Sequence, residues 1–246
     1  LGDSFAPGSL AIVEPRFDFD VYRPQTTAKS EAEEYVLDGV KRQVPWIEGG
    51  AQVLVIATEP GGLGAFVVSR EAAGLKAEAE LKMGLCGLPT VELTLSGVRV
   101  PGSARLDADD AAIRRLIDRG RLALAATAVG AARAAFETSR DYAKQRKTFG
   151  QPIATRQAIA FMLADMAIEI DGARLLIWEA AAAMDRGVEA SRLAHLAYDQ
   201  TTRITLQVAD GAVQVFGGHG YIRDYLPELH LRNLAGLASF ETLALV

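Results

Sequence analysis

QVFGGHGYIRDYLPELHLRNLAGLASFE, residues 214–241, runs from the end of one helix through a glycine turn and an aromatic into a second helix, and closes on a lone acid. Gly217, Gly218 and Gly220 sit where a long helix must stop. One reading is a C-terminal cap that needs positive φ. The other is a backbone stripped of side chains beside the Gln214 amide, which lets a planar ring or a pyrophosphate approach closely, with His219 as a further donor.

Upstream of this turn, Gly and Pro are scarce and apolar residues recur at three- and four-residue intervals back to Pro101. Ile159, Met162, Leu163, Met166 and Ile170 form one continuous stripe, which requires a partner helix. Helices are expected over Asp109–Lys147, Ala158–Arg186, Glu189–Phe216 and Pro227–Phe240, with Arg140, Asp141, Lys144 and Asp165 on the outer faces. Before Pro101, short apolar runs alternate with turn residues, and Ser9–Glu14, Gln52–Thr58, Gly64–Ser69 and Val91–Val100 read as strands. Gly61-Gly62-Leu63-Gly64 follows Pro60 and precedes a strand-like run, so it reads as a turn and not as a phosphate-binding helix start. The expected fold class is α+β. Residues 1–104 form a small β-barrel-like or β-sandwich domain, and residues 105–246 form an antiparallel four-helix bundle.

The composition narrows the function classes. A net charge of −5 without a long Lys/Arg cluster argues against a nucleic-acid partner. The single cysteine, Cys86, excludes an intramolecular disulfide. His195, His219 and His230 have neither the spacing nor the neighbouring cysteines of a metal box, so no metal is expected. The opening LGDSFAPGSL lacks the pattern of a signal peptide. Leu122–Phe136 is alanine-rich, contains Arg133 and is too short to span a bilayer. A cytoplasmic protein without a membrane span is expected.

Three further clusters carry candidate chemistry. Arg146, Lys147 and Thr148 end the first long helix, where cations complement the helix dipole. Alternatively, the turn Phe149-Gly150-Gln151-Pro152 brings guanidinium, hydroxyl and ring to one spot, with an Arg fork suited to phosphate. Asp118 and Arg121 are either a surface ion pair worth about 0.3–0.5 kcal/mol or a polar clamp on a substrate. Glu241 lies in the nearly apolar SFETLALV. There it is either a carboxylate of raised pKa, able to act as general base on a carbon acid, or a solvent-facing group at a helix end.

LAIVEP (10–15), KMGLCGLPTVELTLSGVRVP (82–101), RKTFGQPI (146–153) followed by Gln157, and QVFGGHGY (214–221) together resemble the acyl-CoA dehydrogenase flavoproteins over nearly the whole chain. The resemblance implies α,β-dehydrogenation of a CoA thioester to the 2-enoyl-CoA, from a fatty-acid or sterol-derived substrate, with FAD as cofactor. In that family FAD lies between the β domain and the bundle of one subunit, with its adenine end held by the bundle of a second. Arg146, Thr148, Phe149, Gln157, Gln214, Gly217 and Gly218 match flavin contacts made chiefly to a partner. Asp118 and Arg121 match positions that touch the acyl-CoA. Glu241 matches the base that takes the α-proton while the flavin accepts hydride from the β-carbon. The implied partners are a homologous subunit in a tetramer and an electron-transfer flavoprotein.

The departures from the family pattern cluster. Arg16-Phe17-Asp18-Phe19-Asp20 replaces small flavin-cradling residues, Val13 replaces a hydroxyl residue, and Phe19 replaces a phosphate-binding Ser. QVPWIEGG (43–50) is longer than the usual form, and Thr242-Leu243 stands in place of a Gly-Thr pair. All belong to the half-site that this subunit would form for its own flavin. The resemblance therefore extends to heteromeric members in which unlike subunits share fewer flavins. A non-catalytic scaffold that completes the partner's FAD site is the alternative. The family's N-terminal helical domain has no counterpart before LAIVEP, so either the sequence is a fragment or another chain supplies that wall.

Overall fold

The computed structural model describes residues 8–240, which form two compact units. One comprises residues 8–81 and 86–120 with Phe240, and the other residues 82–85 and 121–239. The strands are β1 (Gly8–Ala11), β2 (Thr27–Glu31), β3 (Glu34–Pro45), β4 (Gln52–Glu59), β5 (Gly62–Ser69), β6 (Leu75–Ala79), β7 (Thr90–Pro101) and a small pair, β8 (Lys147–Thr148) and β9 (Gln151–Pro152). The helices are α1 (Asp110–Gln145), α2 (Gln157–Asp185), α3 (Ser191–Phe216) and α4 (Leu226–Leu237). No helix among the described residues is long and apolar enough to cross a membrane.

In the first unit, β1 to β7 make one mixed sheet in the order β1-β4-β2-β3-β7-β6, with β5 paired to β4. Strand alternation sends Val53, Val55 and Ala57 of β4 into a core with Phe66 and Val68. Ile56 instead joins Leu10, Ile12 and Leu63 in a second core, closed by Ile113 and Ile117 at the start of α1. Pro60-Gly61 is the two-residue turn between β4 and β5, as the glycine cluster predicts.

The structure adds β2, β3 and β6 to the strands expected from sequence. Only Ala28 of β2 is buried, and four of the five residues of β6 are exposed, so neither carries a two-residue apolar period. In β3 the alternation is broken twice, between Leu37 and Gly39 and between Lys41 and Val44. The second irregularity is a one-residue bulge, three residues of β3 standing against two of β7, with Gln43 at φ 54°.

The helical unit follows its apolar period. Of the expected α2 stripe, Leu163, Met166 and Ile170 are buried and Ile159 and Met162 half-buried, and Ala173 and Ile177 continue the buried face. A side chain at Gly211, late in α3, would meet Met166 and Met162, early in α2, so these two helices run antiparallel in close contact. Tyr142 near the end of α1 stacks on Phe216, the last residue of α3, with ring centroids 3.9 Å apart, so α1 and α3 end together.

Candidate functional site

The last turn of α1 builds one wall of a pocket in the helical unit. The Arg146 N–H donates to the Tyr142 carbonyl at 2.8 Å, and the Arg146 carbonyl accepts from Ile153 N–H at 2.8 Å. Between these bonds the chain makes the β8–β9 hairpin, pairing Lys147 with Pro152 and Thr148 with Gln151. Phe149 and Gly150 fill its two-residue turn at φ 52° and 82°, the two positive values a type I′ turn requires.

The opposite wall is the end of α3. Gly217, at φ 58°, closes the helix, its N–H donating to the carbonyls of Val213 and Gln214. A Cβ on Gly220 would lie 2.5 Å from the Val213 carbonyl oxygen, so close packing demands that glycine. Gly218 has neither constraint: its φ is ordinary and nothing lies within 4 Å of where its Cβ would be. Capping explains Gly217 and packing explains Gly220, whereas at Gly218 the missing side chain only keeps space open.

Between these walls lies a pocket of about 520 Å³, within the usual range for small-ligand sites. Arg146, Thr148, Gln214, Gly217 and Gly218, expected from sequence to contact a ligand, all line it. Arg156, absent from the sequence-derived set, supplies a second guanidinium, while Tyr142, Ile153 and Ile159 are further wall residues. The signal for Arg156 in the sequence is its place one residue before Gln157. Two guanidinium groups, a carboxamide and bare glycine backbone suit an anionic group such as a diphosphate. Tyr142, Phe216, His219 and Tyr225 form an aromatic cluster at this end of the unit.

Other expected residues stand apart. Phe149 does not converge with Arg146 and Thr148: the hairpin turn carries its ring outward, 96% exposed. Gln157, the first residue of α2, is also exposed and outside the pocket lining. Asp118 and Arg121 are not a surface pair, because they are 2% and 3% exposed on α1. Asp118 Oδ1 accepts the Tyr22 hydroxyl proton at 3.1 Å, a partner 96 residues away that helix spacing does not reveal. Glu241 lies outside the described residues.

The segments that depart from the family pattern are held by their own contacts. Arg16 pairs with Asp18 at 2.8 Å, and Asp20 accepts from Tyr22 N–H at 2.9 Å. Phe17 is left fully exposed. The Trp46 ring lies beneath the Arg70 guanidinium, 3.9 Å from its centroid, and Arg70 donates to the Ile47 carbonyl at 2.8 Å.

A mixed sheet in one unit and, in the other, a helical bundle with an anion-suited pocket at the ends of two helices define an α+β protein with a small-ligand site. The chain belongs to the acyl-CoA dehydrogenase family, whose C-terminal domain model matches residues 110–241. It is 37% identical over 238 residues to an acyl-CoA dehydrogenase of Bacillus subtilis, covering 92% of this chain and 62% of that protein. Among solved structures, butyryl-CoA dehydrogenase from Megasphaera elsdenii superposes with a TM-score of 0.85 at 30% identity, over 96% of this chain and 64% of that one. The steroid ACAD Tcur3481-Tcur3483 gives 0.87 at 31% identity, over 96% and 63%. The chain thus spans less than two thirds of the length of these relatives.

Proposed function

We propose that this chain is a subunit of an FAD-dependent acyl-CoA dehydrogenase that converts a CoA thioester to its 2-enoyl-CoA, and that its helical pocket holds the diphosphate end of a flavin belonging mainly to a partner subunit. The observation that carries this reading is the meeting of Arg146 and Thr148 with Gln214, Gly217 and Gly218 around one pocket, although some 66 residues separate the two stretches. Family membership, together with Gly218 as a glycine that neither φ nor packing requires, supports a ligand there. When bound, FAD would supply the hydride acceptor. The residues of this chain bind its anionic end through Arg146 and Arg156, orient it through Gln214 and Thr148, and leave room for it at Gly217 and Gly218. Glu241 is the candidate base for the α-proton.

Two exposed features favour an assembly. The Phe149 ring projects from its hairpin, available to a neighbour. Phe161, Ile168 and Leu175 recur at seven-residue spacing on α2 and are each more than half exposed, a stripe that a homologous subunit would cover. An electron-transfer flavoprotein is the proposed electron acceptor, in keeping with a relative named as a caffeyl-CoA reductase-Etf complex subunit.

Co-expression with a homologous partner subunit should yield flavin absorbance and enoyl-CoA formation from some member of a CoA-thioester series, short acyl to sterol-derived. Absence of both sinks the proposal. In the assembled enzyme, Arg146→Ala removes a charged hydrogen bond of about 1.5–3 kcal/mol, so FAD should bind roughly 10- to 100-fold more weakly. Unchanged flavin retention would deny this pocket its role. Glu241→Gln should abolish turnover with flavin retained, whereas an unchanged kcat assigns the base to the partner.

A second reading, a scaffold subunit that only completes the partner's site, is favoured by one observation. Asp118, which matches an acyl-CoA contact of the family, is buried and accepts the Tyr22 hydroxyl. Glu241→Gln separates the two, because both place one FAD in each pair of unlike subunits: loss of turnover favours the dehydrogenase reading, and unchanged turnover favours the scaffold.

A further inference from the structure

The sequence offers His219 only as a possible donor within a glycine turn. In the structure its Nδ1 lies 2.8 Å from the Tyr142 hydroxyl. Its ring stacks on Tyr225, with centroids 4.9 Å apart and planes 17° from parallel. Tyr142 is itself stacked on Phe216. One edge and one face of the imidazole are thereby fixed by α1 and by the residue that precedes α4. His219 also lines the pocket, and its Nε2 makes no hydrogen bond among the described residues.

The bond to Tyr142 decides which nitrogen carries the proton. A neutral imidazole has one donor and one acceptor. If Nδ1 carried the proton and donated to the phenol oxygen, the Tyr142 hydroxyl proton would have no acceptor among the described residues. If the Tyr142 hydroxyl donates to Nδ1, both groups are satisfied and the imidazole proton resides on Nε2. We infer that Tyr142 holds His219 as the Nε2–H tautomer, and that His219 donates this proton to an acceptor oxygen of the anionic cofactor beside Arg146 and Arg156. His219 is then a cofactor-binding residue, and Tyr142 a positioning residue that acts through it. The inference rests on the flavin reading of the pocket.

Side-chain mimicry separates this role from a structural one. A glutamine amide nitrogen reaches about as far as Nε2, whereas an asparagine amide falls near Nδ1. In the assembled enzyme, His219→Gln should keep FAD affinity within about threefold of wild type, and His219→Asn should lose about tenfold, the scale of one hydrogen bond. Tyr142→Phe should fall between them, with an unchanged melting temperature. Imidazole nitrogen NMR on the full chain carrying isotope-labelled histidine, with His219→Gln for assignment, should show the Nε2–H tautomer in wild type and a mixture in Tyr142→Phe. An Nδ1–H tautomer, or FAD binding by His219→Asn equal to wild type, overturns the inference alone. A wild-type assembly that binds no FAD overturns the flavin reading and the ligand role of His219 together, while the NMR still tests the Tyr142 contact by itself.

Discussion

Replacing Lys41 by methionine is expected to destabilise the β unit by about 3–5 kcal/mol, the cost of leaving one member of a buried ion pair alone. The Lys41 side chain is fully buried and that of Glu14 is 2% exposed. Lys41 Nζ donates to Glu14 Oε1 at 3.0 Å and to the Ile12 carbonyl at 3.1 Å. Glu14 also accepts from the Thr26 N–H and hydroxyl at 2.8 and 2.7 Å, and from Gln25 N–H at 2.7 Å. Methionine fills the volume of the lysine stem but leaves the carboxylate without its counter-charge. Urea denaturation of the full chain measures the loss, and Glu14→Gln combined with Lys41→Met should recover much of it. A single-variant loss below about 1 kcal/mol, typical of an exposed pair, would contradict the assignment.

The same pair sets a pH dependence. Burial pushes the Glu14 carboxyl up, but the Lys41 charge and the hydrogen bonds from Thr26 and Gln25 outweigh it and hold the group below its usual 4.5. Its contribution is complete above that pH and is lost as pH falls through the lowered folded value. Burial pulls the Lys41 ammonium down to about 8 from 10.5, against the attraction of Glu14. Between those values the unfolded chain holds the extra proton, so this group makes stability rise with pH across that window. The double variant should lose both slopes.

Gly84→Ala should unseat α4, at a cost of about 3 kcal/mol, the upper end of ordinary overpacking. A Cβ at position 84 would stand 1.8 Å from the Arg232 carbonyl oxygen and 2.5 Å from its carbon, both backbone atoms of α4 that no rotamer change can move aside. The contact is tied on either side. Leu85 N–H donates to Asn233 Oδ1 at 2.8 Å, and the Arg232 guanidinium donates to the Met83 carbonyl at 3.1 Å. Hydrogen exchange should show faster opening confined to α4 and residues 82–85. Under the base role proposed for Glu241, which follows α4 closely in sequence, turnover in the assembled enzyme should fall further than flavin content. Protection of α4 equal to wild type would show that the helix can shift without loss.

The four helices were legible because helix formation and burial share one local period. The Ile159 to Ile170 stripe encodes α2, and the glycines after Phe216 encode its neighbour's end. Most of the pocket was legible too, since Arg146 and Gln214 stand beside helix ends with distinctive turns. Only the expected convergence of the Phe149 ring with Arg146 and Thr148 failed, because the two-residue turn keeps Thr148 at the pocket and sends the ring outward. The surface reading of Asp118 and Arg121 failed because i, i+3 spacing says which face residues share but not whether that face is covered.

By itself, then, the sequence determined the α+β class, the helix limits to within a few residues, and the family. These depend on contacts between near neighbours and on motifs that survive as strings. Only the tertiary structure decided that Lys41 is buried against Glu14, that Tyr22 engages Asp118, that Arg156 joins Arg146, and that Gly218 stands open where Gly220 is packed. The Lys41 and Tyr22 pairings join segments far apart in the chain, Arg156 reaches the pocket through the fold of the β8–β9 hairpin, and the glycines differ only in the space around one Cβ. Burial and distance across the fold carry no local period.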